Sequence, residues 1–391
     1  MIFWLFMKVF NWTPPKTIEG ADSILKLPEY IKSKGIKKPL IVTDKGISKL
    51  HLCDPLMKKL EEVGLQYAFF DDVQPNPIIK NIEDARNMYI QNGCDAFISV
   101  GGGSAMDTAK VAACRIARPR TPVTWFAGVL RVLVKLPPFF AVPTTAGTGS
   151  ETTIAAVVVD PKTHHKFSIM DPVLRPSYAV LDPCLTLSLP KQITSTTGMD
   201  ALTHAVEAYI GRSNVKETIQ DAEIAVKLIF QNLERAYQNG QDIDARIKML
   251  KASFHAGLAF THAFVGYVHA IAHALGGLYN VPHGLANAVI LPYILEYFGD
   301  SCYHQLAKLS DIAELEDKSE SDEVKAKAFI NEIKAMNTRM NIPTQFDCIK
   351  EKDIKTIVSR ALSEANPLYP VPKIMNAQEC EEIVRTIASN L

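Results

Sequence analysis

Asp200 and His204, in the run MDALTH, are spaced i,i+4. On a helix such residues are neighbours, with Cβ atoms about 5–6 Å apart, close enough to share one ion. Five of the ten histidines then fall between 255 and 283: His255, His262, His269, His273 and His283. His269 and His273 repeat the i,i+4 spacing. His283 follows Asn280-Val281-Pro282, a turn able to swing it back toward the preceding helix. One carboxylate with several imidazoles suits Fe(II) or Zn(II), with a position left open for a substrate oxygen. His255, His262 and His269 are seven apart, so each step climbs about 10 Å along a helix axis. His255 and His262 are therefore expected in core or supporting positions beyond the ion. Spacing alone leaves open whether His269 or His273 is the ligand. His51, His164, His165 and His304 read as surface residues.

A second set of residues reads as a phosphate cradle. Gly101-Gly102-Gly103-Ser104 follows an apolar strand and opens a helical run, with Asp107 in its first turn. Glycines there permit a tight turn and close backbone approach, and the free N–H groups of a helix start favour an anion. The run is neither GxGxxG nor GxxxxGK[ST]. Asp44 ends an earlier strand, where a carboxylate suits a ribose diol and repels a 2′-phosphate, favouring NAD over NADP. It precedes the glycines by 57 positions (101 minus 44), whereas the Rossmann acid follows them. The run PTTAGTGSE, Pro143–Glu151, offers hydroxyls and N–H groups at a third strand end. Ligands of open α/β sheets bind at such ends.

The elements that must position these groups change character near Leu189-Pro190. Before it, strand patterns at 38–44, 66–70, 94–100 and 139–142 alternate with helical ones at 54–63, 78–92 and 104–117, which predicts βαβ units and a parallel sheet. Thr152–Asp160 and Phe167–Met170 flank a polar turn and read as a hairpin appended to that sheet. Beyond residue 190 the pattern is almost wholly helical. Two domains are expected: an α/β nucleotide-binding domain over 1–190 and a helical metal-binding domain over 191–391.

Lys+Arg and Asp+Glu are 42 each, and this balance argues against nucleic acid or a membrane surface as partner. Seven cysteines without a CxxC argue against a disulfide framework and a cysteine-rich zinc site, and for a reducing, cytoplasmic setting. Met1–Phe10 (MIFWLFMKVF) is too short to span a bilayer and lacks a basic start and a cleavage site, so it reads as an apolar edge strand.

Four runs together, GGGSAMDTAK (101–110), PTTAGTGSE (143–151), MDALTHAVEAY (199–209) and HAIAHALGGLYNVPHGLANAVILP (269–292), closely resemble the iron-containing, group III alcohol dehydrogenases of the dehydroquinate-synthase-like fold. The resemblance runs from about residue 10 to the C-terminus. It implies a parallel-sheet α/β domain, Rossmann-like but without the usual fingerprint, an all-α domain, and a cleft between them. It makes Asp200, His204, His269 and His283 the metal ligands and His273 a proton relay near the nicotinamide, with Phe260 lining the pocket. Asp44 resembles the NAD-selecting acid. Gly101, Gly102, Gly103, Ser104 and Asp107 resemble the pyrophosphate loop, and Thr144, Thr145 and Thr148 the second cofactor loop. Asn76 and Lys166 match cofactor-side positions. Two departures stand out: the apolar, basic segment Thr121–Leu136, and His262 and Phe264 where smaller or amide residues are common.

The expected activity is an NAD(H)-linked, Fe(II)-requiring alcohol dehydrogenase, Zn(II) being the alternative metal. It would act on small alcohols and their aldehydes or ketones, as a homodimer. The rival readings are an NAD-using lyase or cyclase or a polyol dehydrogenase of the same fold, a metal-dependent hydrolase, and a non-catalytic assembly protein. The metal helices present Ala, Leu, Gly and His rather than the Lys and Arg a multiply charged lyase substrate needs.

Overall fold

A computed structural model of the protein describes residues 13–160 and 165–390. The chain divides into two compact units, Met1–Ser188 and Leu189–Leu391.

The first unit runs β1 (Lys16–Glu19), α1 (Leu27–Ser33), β2 (Pro39–Asp44), α2 (Lys45–Lys49), α3 (Asp54–Glu62), β3 (Ala68–Val73), α4 (Ile79–Gln91), β4 (Ala96–Gly101), α5 (Gly103–Ala117), β5 (Gly128–Val129), β6 (Phe139–Pro143), β7 (Ala155–Asp160), β8 (His165–Met170) and β9 (Tyr178–Leu181). Six strands form a parallel sheet in the order β1-β9-β6-β4-β2-β3. Alternate residues of a strand face opposite sides, and both sides are apolar here. Leu40, Val42, Phe97, Phe139 and Ala141 enter one core, while Ile41, Ile98, Phe140, Val142 and Val180 enter the other. Burial on both faces explains why these strands read as continuous apolar runs. The strand ends differ from the sequence expectation by up to three residues.

The 152–170 hairpin departs from expectation. β7 and β8 pair antiparallel, but they form a separate three-stranded sheet with β5, in the order β5-β8-β7. The two-residue β5 comes from the apolar segment Thr121–Leu136, whose Trp125 and Leu133 are exposed. Asp171 holds that segment by accepting from the Val132 and Leu133 N–H groups at 2.9 and 3.0 Å. The hairpin turn with His164, and the apolar start Met1–Phe10, lie outside the described residues.

The second unit comprises α6 (Lys191–Ile210), α7 (Lys216–Gln238), α8 (Ile243–Ala263), α9 (Tyr267–Tyr279), α10 (His283–Phe298), α11 (Tyr303–Ala313), α12 (Asp322–Arg339), α13 (Ile354–Ala365) and α14 (Ala377–Thr386). α6 is buried almost all round from Thr194 to Ile210, so small residues are needed where neighbours approach. A Cβ on Gly198 would stand 2.2 Å from Leu233 Cδ1 of α7. Asn280 ends α9 in the left-handed conformation (φ 56°), which asparagine tolerates, and Pro282 precedes α10. Among the described residues no single helix is long and apolar enough to cross a membrane.

Candidate metal centre and nucleotide loops

Asp200 and His204 are one turn apart on α6, His269 lies in the first turn of α9, and His283 is the first residue of α10. One donor atom from each of the four lies within 4.8 Å of every other. Around an ion with bonds of about 2.0–2.2 Å, donors stand roughly 3.3–4.4 Å apart. Small side-chain adjustments therefore close this set on one ion, and three imidazoles with one carboxylate fit Fe(II) or Zn(II). The convergence depends on Gly284. A Cβ there would be 2.5 Å from Thr196 O and 3.4 Å from Asp200 Cβ, so only glycine lets the start of α10 seat His283 against α6.

The remaining histidines separate cleanly. The His273 ring stacks on His283 with centroids 5.2 Å apart, and its Nδ1 is 2.7 Å from Glu364 Oε1 on α13. Tyr369 donates to the same oxygen at 2.7 Å. Burial alone would push the Glu364 carboxyl up, but His273 and the Tyr369 hydroxyl hold it below the usual range. His255 pairs with Asp221 at 2.8 Å, and His262 Nδ1 lies 3.1 Å from Leu258 O, so neither joins the four-donor group. Burial lowers the His262 pKa. His51 and His304 are exposed and pair with Asp54 and Asp322. The side chain of His165 lies outside the described residues. Phe260 of α8 stacks on His204, with centroids 4.2 Å apart and planes 17° from parallel.

Two residues at this centre escaped the spacing argument. Glu207 Oε2 lies 2.6 Å from His269 Nδ1. Asn287 is fully buried one turn after His283, and its Nδ2 donates to Asp200 Oδ1 at 2.6 Å. Both carry a positional signal, Glu207 at i+3 from His204 and Asn287 at i+4 from His283.

The nucleotide-loop residues gather at the carboxyl ends of β2, β4 and β6. Asp44 caps α2 through Oδ1, which accepts from Gly46 N and Ile47 N at 2.8 and 3.0 Å. Its Oδ2 lies beside Gly101, 3.8 Å from where a Cβ would stand. That Cβ would also meet the Ala105 Cβ at 2.7 Å, so glycine is required at this turn. Gly102 is the N-cap of α5 and makes no side-chain cap, and free N–H groups at a helix start favour an anion. The second loop packs directly on the first. Thr144 N donates to Gly101 O at 3.0 Å, Thr145 Oγ1 is 3.3 Å from a Cβ on Gly102, and Thr148 Cγ2 is 3.1 Å from one on Gly103. Asn76, at φ 56°, donates its N–H to Ser104 Oγ at 3.3 Å, and Lys166 Nζ donates to Asn76 Oδ1 at 3.3 Å.

Asp107, expected at the pyrophosphate loop, makes its hydrogen bonds within its own unit. Its Oδ1 accepts from Ser150 Oγ and its Oδ2 from Val157 N, both at 2.9 Å. Both oxygens therefore tie α5 to the 143–157 chain. Burial raises its pKa. One turn on, Lys110 is 1% exposed and donates to Ser150 O, Ser150 Oγ, Thr153 O, Thr153 Oγ1 and Ala155 O at 2.7–3.1 Å. Burial pushes its ammonium down to about 8.

Comparison with known proteins follows the same division. The family model for iron-containing alcohol dehydrogenase matches residues 14–183, and that for the C-terminal part of the Fe-containing alcohol dehydrogenase family matches 194–388. The 1,3-propanediol dehydrogenase of Citrobacter freundii is 37% identical over 386 residues, 97% of this chain and 98% of that protein. The NAD-dependent methanol dehydrogenase of Bacillus methanolicus is 34% identical over 377 residues, 95% of this chain and 98% of that one. A crystal structure of 1,3-propanediol oxidoreductase matches with a TM-score of 0.92 at 36% identity, over 96% of this chain and 99% of that one. The chain belongs to the iron-containing alcohol dehydrogenase family.

Proposed function

We propose that this alcohol dehydrogenase is NAD(H)-linked and Fe(II)-dependent, and that it interconverts small alcohols with their aldehydes or ketones. The observation that carries the reading is the convergence of one carboxylate and three imidazoles within 4.8 Å. Asp200, His204, His269 and His283 would hold a divalent ion, which would supply Lewis acidity toward an alcohol or carbonyl oxygen, and the two loops would hold a nicotinamide dinucleotide, which would supply the hydride chemistry.

The chain's own residues do the rest. With Asp200 the one carboxylate among the four donors, the charge of a divalent ion there would be only partly offset, which would favour an oxygen that becomes negative. Phe260, stacked on His204, keeps water from that ring face. His273, held at Nδ1 by Glu364, keeps Nε2 to take or return the alcohol proton. Asp44 Oδ2 stands ready for a ribose diol and opposes a 2′-phosphate. The α5 N-terminus and the Thr145 and Thr148 hydroxyls serve the pyrophosphate. Division of labour between a nucleotide-binding and a metal-binding domain, a homodimer and a cytoplasmic location belong to the same proposal; seven free cysteines fit a reducing compartment.

The test is anaerobic purification, stripping with a chelator and restoration of Fe(II) or Zn(II) separately, with NADH absorbance followed over a panel of short alcohols, diols and aldehydes. Metal-dependent NADH formation is the expected result. NAD(H) binding without turnover for any metal or alcohol would move the function to the lyase reading.

A further inference from the structure

Glu207 is a buried carboxylate with no part in the proposal so far. It stands on α6 seven residues after Asp200 and three after His204, with a side chain 2% exposed. Its Oε1 accepts from Val268 N at 2.9 Å, and its Oε2 accepts from Gly266 N at 2.8 Å. These N–H groups belong to the start of α9, whose first donors have no partner within the helix. Gly266 is pressed close against the carboxylate: a Cβ there would stand 2.7 Å from Oε1. The third partner is His269 Nδ1, 2.6 Å from Oε2.

A carboxylate only accepts, so His269 Nδ1 donates to Glu207 as the two backbone N–H groups do, which puts its proton on Nδ1 and its lone pair on Nε2. That Nε2 is the atom 3.1 Å from Asn287 Nδ2, at the centre where Asp200 and His283 also meet. We infer that Glu207 is a positioning residue for the metal centre. It fixes the tautomer and ring plane of His269, and it sets the start of the helix that carries it. The inference rests on the metal reading given above. A carboxylate on the far nitrogen of a ligating histidine orients the ring and raises its basicity, and its loss costs about 10–100-fold in metal affinity.

The experiment is a titration of the chelator-stripped, full-length protein with Co(II) in competition with a chromophoric chelator, on wild type, Glu207→Gln and Glu207→Asp. The wild type is expected to take one equivalent. Glu207→Gln keeps the shape but loses one acceptor, and should bind about 10–100-fold more weakly, with an altered Co(II) absorption spectrum and unchanged NADH affinity. Glu207→Asp, which keeps both acceptors on a shorter stem, should fall between. A folded Glu207→Gln with wild-type Co(II) affinity and spectrum overturns the inference while leaving the metal centre intact. A wild type that takes up no Co(II) overturns the centre itself. Should Glu207→Gln fail to fold, histidine-¹⁵N NMR of the Zn(II)-loaded wild type reads the tautomer directly. A proton on His269 Nδ1, assigned through His269→Gln, is expected, and a proton on Nε2 overturns the inference.

Discussion

The two units each bury a charge beside their functional groups, and the two charges do opposite jobs. In the α/β unit, Lys110 collects five acceptors from Ser150, Thr153 and Ala155, three of them backbone carbonyls. In the helical unit, Glu207 collects three donors, two backbone N–H groups and an imidazole, at the start of a helix. A loop has carbonyls left over from any ladder, so a cation is needed to hold it; a helix start has N–H groups left over, so an anion is needed. The proposed nucleotide site is thus made of backbone and hydroxyls held in place from behind. The proposed metal centre is made of side chains whose spacing the helices already dictate. Damage to the first should appear as lost stability, and damage to the second as lost chemistry.

The largest effect follows from removing a proposed ligand. His269→Ala should lose its bound metal and lower turnover by about 10³-fold or more, equivalent to about 4 kcal/mol, while NADH binding persists. Metal analysis and nicotinamide absorbance check this, and metal-replete, active protein would break the comparison at its chemical end. Lys110→Met should do the reverse. Stranding its buried acceptors should lower stability by about 3–5 kcal/mol, read from the urea midpoint, with metal content at the helical unit retained. Asp44→Ser comes next. Serine keeps the helix cap but removes the charge, so the NAD-over-NADP ratio of kcat/KM should fall about tenfold, or about 1.4 kcal/mol. An unchanged ratio would remove Asp44 from cofactor selection.

The smallest effect resolves the units from each other. Burial pushes the thiols of Cys53, Cys302 and Cys380 up to about 12 and that of Cys94 up to about 11, and it raises Cys114 as well. At pH 8 these native thiols should react slowly with a thiol reagent, behind the half-buried Cys184 and Cys348. Cys114 shares α5 with Lys110, so Lys110→Met should speed labelling of Cys114, Cys94 and Cys53 in its own unit. Cys302 and Cys380 in the helical unit should stay protected. Equal loss of protection in both units would show that they do not respond separately.

The same contrast explains what the sequence disclosed. Asp200 and His204 share a helix face by arithmetic, so their adjacency was readable from spacing. The choice between His269 and His273 was not, because it turns on partners far along the chain: Glu207, 62 residues before His269, and Glu364, 91 after His273. Asp44 was legible as the end of an apolar strand. The bracing contacts of Asp107 were not legible, because its partners, Ser150 and Val157, lie 43 and 50 residues on. The parallel sheet was legible from strands that are apolar on both faces. The separate sheet of β5, β7 and β8 was not, because its third strand has two residues and no pattern of its own. Gly284 gave no signal either, since its need for a bare Cα arises from Thr196 and Asp200 on another helix.

An anomalous-scattering map at the iron edge, from anaerobic crystals loaded with Fe(II), would locate the metal. One strong peak is expected within bonding distance of Asp200, His204, His269 and His283, lost in His269→Ala crystals along with activity. A peak at another group of residues, or an active enzyme with no peak at these four, would contradict the proposed centre.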